Sequence, residues 1–323
     1  MPLRCAILDD YQRVALSLAD WSALTGQVDV TAFQHHFTDE DALVEALKEF
    51  DIVVIMRERT PFTASLMARL PALKLLITSG MRNASIDLAA AKARGITVCG
   101  TASNSDPAIE LTWALILGLA RQVVPENSAF RHNGPWQSSL GVTLAGKTLG
   151  IIGLGKIGTR VANIAQAFGM KVIAWSQNLT SERANAAGVT LASSKQALIK
   201  DSDFISVHLV LSERTAGLIG KSEFELMKPN VFVINTSRAS IIDQAAMFDA
   251  LSSGRIAGAG LDVFDVEPLP ATHILRALPN VLATPHLGYV TDTNYQVYYS
   301  EAIEDIQAFL SGKPIRVLEK SHV

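Results

Sequence analysis

Apolar and polar positions divide the first hundred residues into short β-rich runs separated by amphipathic stretches. The runs are RCAILDD, VDVTAF, DIVVIMR, LKLLITSG and ITVCG. Between two of them lies TDEDALVEALKEF, in which Thr38 and Asp41 have the spacing of a helix start. Strands that alternate with helices predict a parallel sheet covered on both faces.

A long helix, an arm and a second alternating block follow. Pro107 suits the first turn of the helix, whose apolar positions are Ile109, Trp113, Ile116, Leu117 and Ala120. The stretch PENSAFRHNGPWQSSLGVTLAGK is rich in Asn, Gly, Pro and Ser and predicts an irregular arm. KTLGIIGLG then opens a second series of strands, and a last helix runs from Asp292 to Leu310, before Gly312 and Pro314. We therefore predict two doubly wound domains joined through long helices.

Composition supports a globular protein of two domains. The chain has 323 residues, of which 49% are hydrophobic and 18% charged, and its net charge is −3. This balance gives no electrostatic reason to expect nucleic acid or a membrane as partner. Cys5 and Cys99 lie in apolar runs, which predicts buried reduced thiols.

Neither end of the chain indicates a targeting or regulatory segment. Polar Asp9 and Asp10 follow a short apolar run, so we expect no signal peptide. The longest apolar run, LTWALILGLA, is shorter than the roughly 20 residues of a membrane span. We expect a soluble, cytoplasmic protein with no further regulatory domain after the last helix.

A glycine-rich turn lies between a predicted strand and a predicted helix. Thr148 to Ile152 lead into Gly153, Gly155 and Gly158, and the apolar helix face that follows comprises Ile157, Val161, Ile164, Ala165 and Phe168. Strand, glycines and helix in this order are typical of a turn that binds the pyrophosphate of a dinucleotide. The alternative is a glycine-rich turn without a ligand.

Four chemically useful side chains come soon after predicted strands of the second block. They are Arg238 in VINTSRASIIDQ, Asp262 and Glu267 in GLDVFDVEP, and His286 in TPHLGY. Ligands of open α/β sheets bind beyond the carboxyl ends of strands. Histidine transfers protons near neutrality, a carboxylate favours its charged form, and arginine matches a carboxylate. Taken singly, Arg238 also fits a surface charge, Glu267 a loop carboxylate and His286 a core histidine.

The motifs GIIGLGKIG, FVINTSRASIID, GLDVFDVEP and TPHLGY resemble those of the D-isomer-specific 2-hydroxyacid dehydrogenase family, over nearly the whole chain. The resemblance implies a Rossmann cofactor domain at 104–290, inserted into a flavodoxin-like substrate domain formed by 1–103 and 291–323. It also implies a homodimer that transfers hydride between NAD(P) and a small 2-keto or 2-hydroxy acid. A dinucleotide-sensing corepressor on the same scaffold is the alternative.

The resemblance also assigns roles to individual residues. It makes Arg238 the binder of the substrate carboxylate and carbonyl, His286 the general acid/base and Glu267 its charge partner. The backbone around Gly80, Met81 and Arg82 would cradle the carboxylate, although the family commonly has a glycine-valine-glycine-like sequence there. The cofactor contacts that it implies are Thr112, Gly153, Gly155, Lys156, Ile157, Gly158, Ser176, Gln177, Thr236, Ser237, Asp262 and Gly288.

Ser176 stands where a dinucleotide site usually carries an acidic residue for the ribose hydroxyls. Because serine does not repel a 2′-phosphate, we predict that NADP(H) is accepted and preferred. Gln177 adds a neutral hydrogen-bonding group, and Arg183 is the nearest downstream cation. A permissive enzyme that uses NADH is the alternative.

Three further features bear on the substrate and on metals. Arg57 and Arg59 in MRERTPF are candidates to bind a second anionic end of the substrate. The alternative is that both are solvated surface arginines. Val210 replaces the proline that the family usually has after the histidine in VHLVL. The remaining histidines lack metal-ligand spacing, so we expect no metal; they are His35, His36, His132, His208, His273 and His322.

Overall fold

The computed structural model describes residues 1–319 of the chain. His322 and the last four residues of the predicted substrate domain, 320–323, lie outside the described residues. The strands are β1 Leu3–Ile7, β2 Val28–Ala32, β3 Ile52–Ile55, β4 Leu75–Thr78, β5 Thr97–Gly100, β6 Thr148–Ile152, β7 Lys171–Trp175, β8 Thr190–Leu191, β9 Phe204–Val207, β10 Phe232–Asn235, β11 Gly258–Leu261 and β12 Val281–Ala283. The α-helices are α1 Glu40–Leu47, α2 Ala64–Ala68, α3 Leu88–Ala93, α4 Asp106–Arg121, α5 Val123–Arg131, α6 Lys156–Ala167, α7 Ser181–Ala186, α8 Lys195–Asp201, α9 Lys221–Leu226, α10 Gln244–Ser252 and α11 Asp292–Leu310.

The chain forms two compact units. The first comprises Met1–Asn104 together with the chain from Val290 onward, and the second comprises Ser105–Tyr289. The assignment of a substrate domain and a cofactor domain to these units stays a prediction.

The first unit contains a five-stranded parallel sheet in the order β2-β1-β3-β4-β5. This is the strand order of flavodoxin-like folds. Every residue of β3 and β4 is buried, as expected for central parallel strands covered by helices on both faces.

The second unit contains a seven-stranded parallel sheet in the order β12-β11-β10-β9-β6-β7-β8. Counted from β6, its first strand, the order is that of the Rossmann fold with one more strand beyond the sixth. The strand order reverses between β6 and β9, so the loop after β6 lies at the switch point. The predicted fold class is confirmed.

The two long helices follow the sequence prediction closely. In α4, Pro107 lies in the first turn, and Ile109, Trp113 and Ile116 are buried. α11 spans Asp292–Leu310 and is followed by Gly312 at φ +73°. Trp113 stacks on Phe168, with ring centroids 4.9 Å apart.

The predicted start of α1 is wrong. The helix begins at Glu40, and the side chain of Asp39 accepts a hydrogen bond from the backbone N–H of Ala42. The Asp39 side chain therefore satisfies one of the first-turn donors, and the Thr38–Asp41 spacing is not used as the cap.

The arm is partly helical, which corrects the prediction of an irregular segment. α5 covers Val123–Arg131, with Pro125 in its first turn. Proline is compatible with that position because first-turn N–H groups have no helical partner. Gln122, at φ +53°, separates α5 from α4.

Both cysteines are buried and free. Burial raises the pKa of the Cys5 thiol far above its usual value and that of Cys99 to about 12. Both are therefore protonated thiols in the strands β1 and β5.

Within residues 1–319, no single helix is long and apolar enough to cross a membrane. The pair α4 and α5, bent by 65°, passes the same test of length and composition only when the two are taken together.

Candidate active site

The glycine-rich turn follows β6 and leads directly into α6. Gly153 has φ +103°, and a β-carbon there would lie 2.5 Å from the carbonyl oxygen of His208. At Gly158 a β-carbon would lie 2.1 Å from the carbonyl oxygen of Gly153, whereas at Gly155 it would meet nothing within 4 Å. The first and third glycines thus allow close packing, and the second leaves the backbone open at the helix N-terminus, where phosphate groups bind.

Ser176 follows β7 and lies beside this turn. The backbone N–H of Gly153 donates to the carbonyl oxygen of Trp175, 2.9 Å away. Ser176 is half-buried and Gln177 is exposed. Arg183, on α7, folds back and donates through Nη2 to the carbonyl oxygen of Leu154 at 3.4 Å. A cation therefore lies at the glycine-rich turn.

Arg238 lies on a loop after β10 that its own neighbours hold in place. Its carbonyl oxygen accepts from the side-chain amide of Asn235 at 2.9 Å, and its Nη1 donates to the carbonyl oxygen of Ser237 at 2.7 Å. The Ser237 hydroxyl donates to the carbonyl oxygen of Val207, the last residue of β9. The loop after β10 is thus attached to the end of the neighbouring strand, β9.

Thr112 and Thr236 connect α4 to the same loop. The fully buried Thr112 hydroxyl donates to the carbonyl oxygen of Ala108 at 2.7 Å and lies 2.8 Å from the Thr236 hydroxyl. Because a hydroxyl carries one hydrogen, Thr236 is the donor in the second bond.

Asp262, the residue after β11, orders the segment that carries His286. Its carboxylate accepts from the Thr284 hydroxyl at 2.6 Å and from the backbone N–H groups of Leu287 and Gly288 at 2.7 and 2.8 Å. Burial raises the pKa of Asp262 above its usual range, while these hydrogen bonds and nearby His286 act in the opposite direction.

His286 and Glu267 form a hydrogen-bonded pair. The imidazole Nδ1 lies 2.6 Å from Oε2 of Glu267, and the other carboxylate oxygen accepts from the backbone N–H of Phe264 at 2.8 Å. The imidazole meets the ring of Tyr289 edge to face, with centroids 5.5 Å apart. With Nδ1 engaged by the carboxylate, Nε2 is the nitrogen available for proton transfer.

These loops follow β10, β11 and β12, which are neighbours in the sheet. The carboxyl ends of parallel strands meet at one edge, so Arg238, Asp262 and His286 belong to the same edge as the glycine turn after β6. The Ser240 hydroxyl donates to Asp265 at 3.0 Å and connects the loops after β10 and β11.

In the first unit, Arg57 packs over the turn that contains Gly80. Arg57, after β3, has φ +52°, and its backbone N–H donates to the Ser79 hydroxyl at 3.0 Å. Gly80 has φ +88°, and a β-carbon there would lie 2.5 Å from Nη1 of Arg57. The backbone N–H of Gly80 donates to Thr101 Oγ1 at 3.1 Å.

The remaining predicted residues differ in exposure. Met81 and Arg82 are exposed, whereas Arg57 and Arg59 are half-buried. Arg59 lies over the ring of Tyr11, 4.9 Å from its centroid, and donates to the carbonyl oxygen of Asp9. Neither Arg57 nor Arg59 is a simply solvated surface arginine. Val210 is exposed.

Sequence reasoning missed several supporting residues. Tyr289 belongs to the quoted motif TPHLGY but was given no role, and Asn235 and Asn83 were not singled out. Asn83 donates through Nδ2 to the carbonyl oxygen of Arg57 at 2.7 Å. An amide side chain soon after a β-rich run is the signal that could have found both asparagines. Across residues 1–319, no group of three or more His, Cys, Asp or Glu side chains could hold a metal ion.

Comparison with known proteins places this geometry in a family context. Residues 113–288 match the profile described as "D-isomer specific 2-hydroxyacid dehydrogenase, NAD binding domain". The chain is 36% identical to a glyoxylate reductase of Thermococcus litoralis, over 84% of each chain. It is 37% identical to a hydroxypyruvate reductase of Thermotoga maritima, over 83% of this chain and 87% of the other.

Other relatives are longer than this chain. A D-3-phosphoglycerate dehydrogenase of Methanocaldococcus jannaschii is 36% identical over 85% of this chain, and the match spans 52% of that protein's length. Among solved structures, a phosphoglycerate oxidoreductase of Vibrio cholerae superimposes with a TM-score of 0.90 at 38% identity, covering 96% of this chain and 99% of the other. Nothing in these comparisons supports the corepressor alternative.

The glycine turn generates a stability prediction. Gly158→Ala places a β-carbon against a backbone oxygen, so we expect a loss of roughly 1–3 kcal/mol, typical of overpacking. Gly155→Ala meets open space and loses only an N-cap preference, on the order of 1 kcal/mol or less. Thermal unfolding of both variants checks this, and equal decreases in Tm would contradict the assigned packing.

Proposed function

The chain belongs to the D-isomer-specific 2-hydroxyacid dehydrogenase family, and we propose that it catalyses reversible hydride transfer between a nicotinamide dinucleotide and a small 2-keto or 2-hydroxy acid. The observation that carries this proposal is the Glu267–His286 pair, on the sheet edge that also bears the glycine turn. In this proposal the second unit binds the cofactor and the first unit binds substrate.

The residues of the glycine turn fit a dinucleotide. Gly155 leaves open space at the N-terminus of α6, a helix whose first N–H groups no side chain caps. Gly153, Gly155, Lys156, Ile157 and Gly158 would hold the pyrophosphate. When bound, the nicotinamide supplies the hydride.

The chain's own residues supply proton transfer and orientation. In the reduction direction, protonated His286 donates a proton from Nε2 to the developing alkoxide oxygen. Glu267 holds the imidazole through Nδ1 and stabilises its charged form. Arg238 binds the carboxylate and polarises the carbonyl with its planar guanidinium.

The remaining assigned residues support both ligands. Asp262, Thr236, Ser237 and Gly288 would line the nicotinamide end, and Thr112 would act beside them. The backbone of Gly80, Met81 and Arg82 would bind the substrate carboxylate, with Arg57 above Gly80. Relatives named glyoxylate reductase and hydroxypyruvate reductase match most of their own length, so glyoxylate and hydroxypyruvate are the first substrates to test.

We propose that the cofactor is NADP(H) in preference to NAD(H). The neutral Ser176 removes the carboxylate that would repel a 2′-phosphate, and Gln177 adds neutral hydrogen-bonding groups. The fold-back of Arg183 onto Leu154 brings a cation to the same turn, which supports this preference because guanidinium groups bind phosphates well.

We also propose that the chain is a homodimer through the arm of α5 and the residues after it. Large apolar side chains are exposed there, namely Val123, Val124, Phe130, Trp136 and Leu140. Leu140 is 96% and Trp136 is 80% exposed. A concentration of exposed apolar groups favours a protein interface. The cytoplasmic location expected from the sequence stays a prediction.

His286→Ala is expected to lower kcat for glyoxylate or hydroxypyruvate by about 10²–10⁴-fold, the usual contribution of general acid/base catalysis. Cofactor affinity, measured by NADPH fluorescence, should stay within about twofold. His273→Ala, which removes another histidine of the same unit, serves as the control and should keep parental turnover. Activity of His286→Ala close to that of the parent would contradict the assignment.

Ser176→Asp is expected to shift the ratio of kcat/KM for NADPH over NADH toward NADH by about tenfold or more, because it opposes the 2′-phosphate with a like charge. Arg183→Gln should weaken NADPH and leave NADH unchanged. Lys200→Gln, which removes a cation at the end of α8, is the control. A parent that is strictly NADH-dependent would overturn this account.

Trp136→Ser combined with Leu140→Ser is expected to convert a dimer into a monomer, since each change removes exposed apolar area from the arm. Light scattering after size exclusion measures the mass. Leu16→Ser, at an exposed apolar residue of the first unit, should leave the mass unchanged. A monomeric parent, or a dimeric double variant, would contradict the proposed interface.

A further inference from the structure

Both backbone polar groups of Arg57 are held by side chains of the segment that follows β4. Its N–H donates to the Ser79 hydroxyl at 3.0 Å, and its carbonyl oxygen accepts from Nδ2 of Asn83 at 2.7 Å. Arg57 has φ +52°, a left-handed conformation that a residue other than glycine keeps only where its surroundings impose it. The two hydrogen bonds supply that constraint and join the loop after β3 to the turn that contains Gly80.

The amide of Asn83 uses all of its hydrogen-bonding capacity. Its second N–H donates at 2.9 Å to Oγ1 of Thr78, a fully buried residue at the end of β4. Its Oδ1 accepts from the backbone N–H and the hydroxyl of Ser85, at 2.9 and 2.6 Å. A carbonyl only accepts and a backbone N–H only donates, so Arg57 and Ser85 determine which way the amide faces. The amide cannot rotate without losing these bonds, and it therefore fixes the carbonyl of Arg57.

The side chain of Arg57 lies over the Gly80 turn. A β-carbon on Gly80 would lie 2.5 Å from Nη1 of Arg57, so the guanidinium occupies the space directly beside this backbone. The Nε of Arg57 lies 3.6 Å from the Glu58 carboxylate. Because the backbone conformation of a residue sets the direction of its Cα–Cβ bond, the left-handed conformation of Arg57 decides where its guanidinium lies.

We propose that Asn83 is a positioning residue, which holds Arg57 in its left-handed conformation so that the guanidinium binds the substrate anion at the Gly80 turn. The inference rests on the proposed function, in which Arg57 and this turn bind substrate. Asn83 does not touch substrate, and its effect passes through Arg57. Ser79 supports the same conformation from the N–H side.

The chain offers a matched control for the amide. Ser85→Ala removes a hydroxyl from Oδ1 of Asn83, whereas the backbone N–H of Ser85 and both bonds of Nδ2 remain. It therefore alters the same hydrogen-bond network without releasing Arg57. Asn83→Ala removes the bond to the Arg57 carbonyl, and Ser79→Ala removes the acceptor of the Arg57 N–H.

The first experiment compares steady-state kinetics of these three variants with glyoxylate and hydroxypyruvate. We expect Asn83→Ala to raise KM about tenfold with kcat within about twofold, the pattern of lost binding that is equal in ground and transition states. Ser79→Ala should change KM in the same direction and decides the matter if Asn83→Ala does not fold. Ser85→Ala should leave both constants unchanged. Equal effects of Asn83→Ala and Ser85→Ala, or an unchanged KM in Asn83→Ala and Ser79→Ala, would overturn the inference.

A double-mutant cycle tests whether Asn83 acts through the side chain of Arg57. In the Arg57→Ala background, Asn83→Ala should change KM less than twofold, because no guanidinium is left to position. An equal rise of KM in both backgrounds would show that Asn83 only supports the turn, and it would overturn the inference alone.

The same four proteins are titrated with oxalate by calorimetry in the presence of NADPH, so that coupling is measured without turnover. The loss of oxalate affinity caused by Asn83→Ala should likewise disappear in the Arg57→Ala background. A parent that reduces no 2-keto acid contradicts the proposed function, and the oxalate cycle then decides the inference. A parent that also binds no oxalate overturns both.

Discussion

The geometry of the loop that carries His286 depends on one buried carboxylate. Asp262 is 1% exposed and accepts three hydrogen bonds from Thr284, Leu287 and Gly288. A buried charge without partners costs several kcal/mol, and charge-assisted hydrogen bonds offset that cost. Because all three donors flank His286, the same bonds that compensate burial also fix the histidine at φ +54°. A loop without these bonds would lose conformational entropy each time a ligand ordered it.

Residues that act next to their own strand could be predicted from the sequence. The sequence shows a strand followed by a glycine or polar residue at each of four places. These are the glycine turn after β6, Arg238 after β10, Asp262 after β11 and His286 after β12. The parallel order of the sheet then brings their loops to one edge, so the topology converts local patterns into a shared location. The assigned chemical roles came from the resemblance and remain proposals.

Contacts between distant parts of the chain could not be predicted. Thr112 and Thr236 are 124 residues apart, and the return of Arg183 to Leu154 depends on the path of the chain after β7. Contacts between distant residues depend on the path of the backbone and on side-chain rotamers. Neither can be deduced directly from a single sequence. The same limit explains α1, where Thr38 and Asp39 are adjacent and the backbone selects Asp39 as the cap.

The two units order their charged groups by opposite means. In the second unit a carboxylate, which only accepts, gathers backbone and hydroxyl donors around Asp262. In the first unit the groups to be ordered are guanidiniums, which only donate, and Arg59 donates to the carbonyl oxygen of Asp9. Arg57 lies 3.6 Å from the Glu58 carboxylate and packs over Gly80. Both means order the charged groups when the chain folds, so the conformational entropy of these side chains is already lost before any ligand binds.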